Sequence, residues 1–167
     1  MITQKEYAKR RKKLLKKMSN NSVGVMFSAE YKVRSNDTHY PYRQNSNFYY
    51  MSGFKEDKSA LLFIKNNKKT KVILFVAKKD KKLELWNGKR LGEKKAKKLF
   101  LVDEVCCIDE LEKRLKESLE DSRELYFDFK LDYSKVKILK RYAKKLSTHK
   151  NIAPLIQKMR LIKSPAE

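Results

Sequence analysis

Apolar and polar residues alternate along this chain in two periods, one typical of helices and the other of strands. Tyr7, Leu14 and Met18 recur at helical spacing near the start, which predicts an amphipathic helix. Thr3 and Glu6 precede that pattern at the spacing of a capping box, so we expect Thr3 to be the N-cap. The first element is therefore predicted to be a helix that packs one face on the core.

Short apolar runs of strand length follow the helix. They lie at 23–29, 48–52, 60–64, 71–77, 83–86, 102–108 and 125–129. The runs at 60–64 and 71–77 flank a polar stretch, which predicts a β-hairpin. The polar residues 30–47 are interpreted as a loop.

Helical patterns alternate with strands in the second half of the chain. Apolar residues recur at helical spacing over 93–100, 111–119 and 132–146. Asp109 and Glu112 form a second possible capping box, and Asp132 can cap the helix that follows it. The element order predicts an α/β fold, in which a mixed β-sheet is flanked by helices.

The charge is strongly positive, with 42 Lys and Arg against 20 Asp and Glu and a formal net charge of +22. Phosphates attract clustered cations, so a basic nucleic-acid-binding domain is one interpretation. The cations are mostly lysine and are spread along the whole chain, whereas arginine is the residue suited to bidentate phosphate contacts. We expect a dispersed, solvated surface, with nucleic-acid binding as the alternative.

Localisation signals and disulfides are not evident. No apolar run approaches the roughly 18 residues of a membrane span, and the N-terminus lacks the apolar stretch of a secretory signal. Cys106 and Cys107 are adjacent, which is poor geometry for a disulfide between them. We therefore expect a cytoplasmic protein with free thiols and no membrane partner.

Candidate catalytic residues are few. His39 and His149 are far apart in sequence and neither belongs to a metal-binding motif. With four glycines, the chain has no Gly-rich phosphate loop and no nucleophile elbow. Asp128 and Asp132 could form a carboxylate pair, but such residues more often cap the next helix, as expected for Asp132. We predict no catalytic residue and no metal site in this chain.

The segment 39–50 places five aromatic rings among amide and hydroxyl groups. One interpretation is a stacking platform for single-stranded nucleic acid, with Arg34 and Arg43 on phosphates. The other is a loop in which Arg43, Gln44 and Asn45 hydrogen-bond to backbone, followed by a strand. Both remain open from the residues alone.

The segment 84–92 holds the single tryptophan, Trp86, two residues before Gly88. A tryptophan beside a tight turn can be an exposed anchor at an interface or ligand pocket. It can equally cover the edge of the core.

Together, these segments resemble the N-terminal domain of bacterial Xaa-Pro aminopeptidases, the aminopeptidase P family. The resemblance rests on Tyr7, Arg10-Arg11, Leu14, Arg34-Ser35-Asn36-Asp37, Tyr40-Pro41-Tyr42-Arg43-Gln44-Asn45-Ser46, Phe48, Tyr50, Gly53-Phe54, Glu84, Trp86, Gly88, Arg90 and Gly92. The end of the chain is similar to the junction with the catalytic domain of that family, through Met159-Arg160, Lys163-Ser164-Pro165 and Glu167.

The resemblance implies a creatinase-like fold related to ribonuclease H. It implies an N-terminal domain at 1–157 and, at 158–167, the start of a linker into a C-terminal "pita-bread" catalytic domain. That family removes an N-terminal residue when proline is second, and it uses two divalent metals, usually manganese. Two Asp, one His and two Glu bind those metals downstream of the junction, so none of these ligands would lie in this chain.

The resemblance also implies partners and site residues. In this family the N-terminal domain contacts other subunits of a dimer or tetramer and narrows the entrance to the active site. Trp86 is accordingly the main candidate, placed near the active site of a neighbouring subunit, and Arg43 and Asn45 are secondary candidates. A prolidase-type dipeptidase shares the two-domain plan and remains an alternative. The positive charge is not explained by the resemblance.

Overall fold

The computed structural model describes residues 2–67, 69–146, 148–165 and 167. The side chains of Leu83, Trp86 and Asn87 lie outside that description. The strands are β1 (Ser22–Phe27), β2 (Val33–Ser35), β3 (Thr38–His39), β4 (Ala60–Asn66), β5 (Lys69–Val76), β6 (Glu104–Cys107), β7 (Glu124–Phe127) and β8 (Thr148–Asn151). The α-helices are α1 (Gln4–Lys17), α2 (Ser46–Ser52), α3 (Lys81–Asn87), α4 (Gly92–Leu99), α5 (Leu111–Glu120), α6 (Tyr133–Tyr142) and α7 (Ala153–Leu161).

Six strands form one mixed sheet in the order β6-β5-β4-β1-β7-β8. The three central strands pair antiparallel, β4 with both β1 and β5. The outer pairs, β5 with β6, β1 with β7 and β7 with β8, are parallel. The predicted mixed sheet flanked by helices is confirmed, as is the predicted hairpin, in which Asn66 pairs with Lys69.

Helices cover both faces of the sheet, which explains why its strands are nearly continuous apolar runs. In β4, Leu61 and Phe63 belong to one apolar cluster, whereas Ala60 and Leu62 belong to a second on the other face. The first cluster includes residues of α1, α2, α4 and α7, and the second includes residues of α5 and α6. Candidate residues at 40–50 and at 159–167 therefore lie on the side of the first cluster.

Two predicted strands are helices. The run at 48–52 belongs to α2, because the Asn45 side chain caps the helix by accepting the N–H groups of Asn47 and Phe48, at 3.0 Å each. Gly53 ends it in the left-handed conformation, with φ of 69°. The run at 83–86 lies in α3, whose second residue, Lys82, donates its N–H to Asp80. These local caps outweigh the β-propensity of aromatic and apolar residues.

Thr3 is the N-cap of α1, as predicted, but neither of the two predicted capping boxes forms. The Thr3 side chain makes no capping hydrogen bond, and Glu6 forms an ion pair with Arg10 instead. Asp109 lies within a 3₁₀ turn, and α5 begins after it without a side-chain cap. Asp132 does occupy the N-cap position of α6, although it makes no side-chain bond to the first helical N–H groups.

The loop at 30–47 and the end of the chain carry structure of their own. Strands β2 and β3 form a small exposed hairpin within the loop. Helix α7 runs to Leu161 and passes the predicted domain boundary after residue 157, with Met159 buried in the core. The domain boundary after residue 157 and the linker at 158–167 remain predictions.

Two arginines of α1 reach the carboxyl end of α2. Arg11 is buried and donates to the carbonyl oxygens of Met51 and Leu101, at 2.8 and 2.7 Å. Arg10 donates to Tyr50 O at 3.1 Å. Burial lowers the pKa of Arg11 to about 10, which still leaves the guanidinium charged at neutral pH. These bonds fix the helix that follows the 40–45 loop.

We predict that Arg11→Met lowers the free energy of unfolding by about 3 kcal/mol, because the carbonyl groups of Met51 and Leu101 lose a charged donor, the first of them in a buried hydrogen bond. Urea unfolding followed by circular dichroism measures the change. The matched control is Lys13→Met at an exposed position of the same helix, expected within about 0.5 kcal/mol of the parent. Equal effects at the two positions would contradict the role given to Arg11.

Candidate functional site

Gln44 is the centre of the predicted 39–50 segment. Its Oε1 accepts the N–H groups of Ala29 and Asn45, at 2.8 and 2.9 Å. Its Nε2 donates to the carbonyl oxygens of Glu56 and Phe54, at 2.9 and 3.3 Å. One side chain thus ties the loop to the end of β1 and to residues 54–56.

The other predicted residues of this loop have different roles. Asn45 is the N-cap of α2, so the interpretation that amides here hydrogen-bond to backbone is confirmed for Gln44 and Asn45. Arg43 does not take part in those bonds; it is exposed and lines a cleft. The Tyr42 hydroxyl donates to Ala29 O at 3.1 Å. Burial and the nearby Asp57 carboxylate raise the pKa of Tyr42 to about 12, so this phenol is neutral at physiological pH.

The cleft beside Arg43 has a volume of about 580 Å³ and lies between α1, α2 and the end of the chain. Its lining combines tyrosine rings with five cationic side chains, Arg10, Arg43, Lys55, Arg160 and Lys163, and one carboxylate, Glu167. This arrangement makes the cleft strongly electropositive and suited to an acidic group.

Arg10 joins the walls of this cleft. Its guanidinium lies 4.1 Å from the centroid of the Tyr50 ring and 5.2 Å from that of Tyr7. It also forms an ion pair with Glu167 at 3.3 Å. The segment after α7 is therefore held against α1 and α2, next to Arg43.

The segment 84–92 is connected to the residues after α2 through Arg90 and Leu91. The Arg90 guanidinium forms an ion pair with Asp57, and Leu91 N–H donates to Glu56 Oε1 at 2.8 Å. Because Gln44 binds the carbonyl of Glu56, residues 54–57 connect the two segments singled out in the sequence. The backbone of Trp86 lies in α3. Its side chain is outside the described part of the structure, so the choice between an exposed anchor and a cover on the edge of the core stays open.

Sequence reasoning missed Glu56 and Asp57. They follow Gly53-Phe54 of the family pattern, but nothing in the local sequence distinguishes a carboxylate that pairs with Arg90. The partners are 33 positions apart, so no periodicity relates them. The sequence held one weak indication of this ion pair, because Arg90 belongs to the segment 84–92 of the family pattern.

The aromatic rings that the stacking interpretation requires partly contact one another and partly remain exposed. The Tyr31 ring contacts those of Tyr42 and His39, with centroids 4.9 and 5.8 Å apart. Arg34 lies over the Tyr40 ring, at 6.0 Å from its centroid. The Tyr31, Tyr42 and His39 rings therefore contact one another, whereas the Tyr31 and Tyr40 side chains are still 48% and 53% exposed.

The remaining titratable candidates serve the fold. Burial raises the pKa of the Cys106 thiol to about 12, so it is protonated at neutral pH and packs as an apolar side chain. Asp128 accepts the N–H of Lys130, whereas Asp132 forms an ion pair with Lys135 at 3.4 Å. Among the described residues, no three His, Cys, Asp or Glu side chains are placed to bind a metal ion. None of the described helices meets the length and apolarity that crossing a membrane requires.

Comparison with known proteins shows which family has these features. The family model "Aminopeptidase P, N-terminal domain" matches residues 7–126. The Xaa-Pro aminopeptidase of Haemophilus influenzae is 35% identical over 166 residues, which are 99% of this chain and 39% of that protein. The Xaa-Pro aminopeptidase of Escherichia coli is 31% identical and is matched over 40% of its length.

Solved structures agree with the sequence matches. Proline aminopeptidase P II from Yersinia pestis superposes with a TM-score of 0.92 at 32% identity, over 99% of this chain and 41% of that one. A variant of Escherichia coli aminopeptidase P gives a TM-score of 0.93 at 31% identity, over 40% of its chain. The chain belongs to the aminopeptidase P N-terminal domain family. It spans about two fifths of the length of these relatives.

We predict that Gln44→Leu lowers the free energy of unfolding by about 2 kcal/mol, since four backbone groups lose their partner. Urea unfolding measures the loss. The same substitution at Gln157, an exposed position of α7, is the control and should have little effect. An equally small change in the free energy of unfolding at both positions would contradict the role given to Gln44.

Proposed function

We propose that this chain is the non-catalytic N-terminal part of a metal-dependent Xaa-Pro aminopeptidase, which removes an N-terminal residue that precedes proline. The observation that supports the proposal most directly is that 99% of the chain matches proteins named Xaa-Pro aminopeptidase, over about 40% of their length. The remaining part of such a protein is the partner to which this domain would be joined.

The chemistry of the proposed reaction belongs to that remaining part. We place two divalent metals, manganese in first choice, in the C-terminal domain of the parent protein. By the same proposal the metal ligands come from residues outside this chain; within the part of the chain that the structure describes, no three His, Cys, Asp or Glu side chains are placed to bind a metal ion. We place the parent protein in the cytoplasm.

The proposed role of this domain is to contact other subunits and to shape access to the active site. Trp86 is the main candidate for a residue near the active site of a neighbouring subunit in a dimer or tetramer. Arg43 is exposed and free to contact a peptide or a partner, whereas Asn45 supports the loop as a helix cap. The electropositive cleft beside Arg43 supports an acidic partner surface, which the rest of the parent protein would supply.

Two alternatives predict different results, one in nucleic-acid binding and the other in the choice of peptide substrate. The net charge of +22 favours a nucleic-acid-binding domain, which would show strongly salt-dependent binding that depends on Tyr40, Tyr42 and Arg43. A prolidase-type enzyme would prefer dipeptides over longer Xaa-Pro peptides.

We predict that the full-length gene product releases the first residue of an Xaa-Pro tripeptide in the presence of manganese and that this chain alone does not. Mass spectrometry of the peptide products measures both reactions side by side. Activity in this chain alone would mean that it holds a catalytic site of its own. An inactive full-length protein would remove the peptidase proposal and favour the alternatives.

We predict that Trp86→Ala in the full-length protein lowers kcat/KM for Xaa-Pro peptides of four or more residues by about tenfold, because an aromatic contact at the entrance is lost. Steady-state kinetics with peptides of increasing length measures the effect. Leu85→Ala changes the neighbouring residue of α3, which is 85% exposed, and serves as the control. Unchanged kinetics in Trp86→Ala would remove Trp86 from the mechanism.

A further inference from the structure

Among the described side chains, polar contacts and the partly buried Leu91 hold the segment that carries Trp86. Between residues 81 and 91, no side chain that the structure describes is buried. Leu85 points an apolar side chain to solvent. A segment with few buried apolar contacts opens readily unless other contacts hold it. Apart from the contact of Leu91 with the first apolar cluster, the described contacts that hold this segment in position are therefore hydrogen bonds and ion pairs.

The first of these contacts close the segment on itself. Glu84 Oε1 accepts the N–H of Arg90 at 3.0 Å, which joins α3 to the chain after its turn. Gly88 lies within that closed loop with φ of 80°, a conformation that favours glycine. Residues 84–90 consequently form a closed unit, whose orientation is set by what Arg90 binds.

Arg90 binds the carboxylates that follow α2. Its guanidinium pairs with Asp57, whose side chain is 7% exposed and whose charge therefore needs a partner. The same guanidinium nitrogen lies 4.0 Å from Glu56 Oε2, a buried oxygen with no hydrogen-bond partner among the described residues. The other oxygen of Glu56 accepts the Leu91 N–H at 2.8 Å. Neighbouring carboxylates thus hold two consecutive residues of the segment.

The same carboxylate-bearing residues are fixed to the 40–45 loop. Gln44 Nε2 donates to Glu56 O and to Phe54 O. The loop with Arg43 and the segment with Trp86 are consequently joined through a short stretch of chain, residues 54–57. A shift of Arg90 would move one motif relative to the other.

We propose that Arg90 is a positioning residue, which orients the 84–91 segment that carries Trp86 by binding Asp57 and Glu56. It acts through Trp86 and does not touch the substrate. The consequence for catalysis rests on the proposed function, in which Trp86 shapes access to the active site. The structural part of the inference stands on the contacts alone.

Amide hydrogen exchange tests the structural part in the 167-residue chain. Arg90→Gln is expected to speed exchange across 84–91 by about tenfold or more and to leave β6 unchanged, since only the segment loses its anchor. Arg90→Lys keeps the charge but not the planar fork, so it should restore part of the protection. The matched control is Arg114→Gln, which breaks the ion pair of Arg114 with Glu104 on β6 and should leave 84–91 unchanged.

Each exchange result decides the structural part. Unchanged exchange across 84–91 in Arg90→Gln would overturn the proposal. Faster exchange over the whole chain would also overturn it, because Arg90 would then support the fold in general.

Kinetics of the full-length protein test the consequence for catalysis. Arg90→Gln should lower kcat/KM for an Xaa-Pro tetrapeptide by about tenfold, mainly through KM, and should add nothing to Trp86→Ala in the double variant. Effects that multiply would mean that Arg90 does not act through Trp86, and would overturn that part. If the unmodified protein cleaves no Xaa-Pro peptide, the proposed function fails, while hydrogen exchange still decides whether Arg90 holds the segment.

Discussion

The buried guanidinium of Arg11 is the interaction on which the arrangement of the candidate site depends. A charge in a protein interior is costly unless it is hydrogen-bonded, and Arg11 meets this constraint by binding Met51 O and Leu101 O. Helix α2 has seven residues, too few to be stable alone. Contact with α1 therefore fixes α2. At the end of α2, a Cβ atom on residue 53 would lie only 2.5 Å from the Tyr7 ring, so this close approach of the two helices requires Gly53.

A second joint lies immediately after α2. Residues 54–57 give carbonyl groups to Gln44 and carboxylates to Arg90 and Leu91. Phe54 is also buried in the apolar cluster that includes residues of β4 and β5, so α2 and the sheet together position these residues. The constraint thus passes from a buried charge to a short helix, and from that helix to both motifs of the candidate site.

The sheet could be predicted from the sequence because its signals are local and periodic. The β4-β5 hairpin and the apolar runs of β1 and β7 follow from composition and turn residues alone. Helix α2 was missed because its aromatic run resembles a strand, while the caps that decide the matter, Asn45 and Gly53, are single residues. The pairing of Arg90 with Asp57 could not be predicted, since it links distant positions through a fold that was not yet known.

The ion pairs show where the acidic residues lie in the fold and which bases they neutralise. Acidic residues recur at joints: Asp57 between motifs, Glu104 between β5, β6 and α5, Glu124 between neighbouring strands, and Glu167 at the cleft. With 20 acids against 42 bases, pairing at joints leaves a large excess of lysine in solvent. Exposed lysines interact weakly with one another through water and salt, so the fold tolerates them. The electropositive cleft differs because two of its arginines are ordered, Arg10 by Tyr50 and Glu167 and Arg160 by Asn47. Fixed cations of this kind can select an acidic partner, which a dispersed lysine surface cannot do.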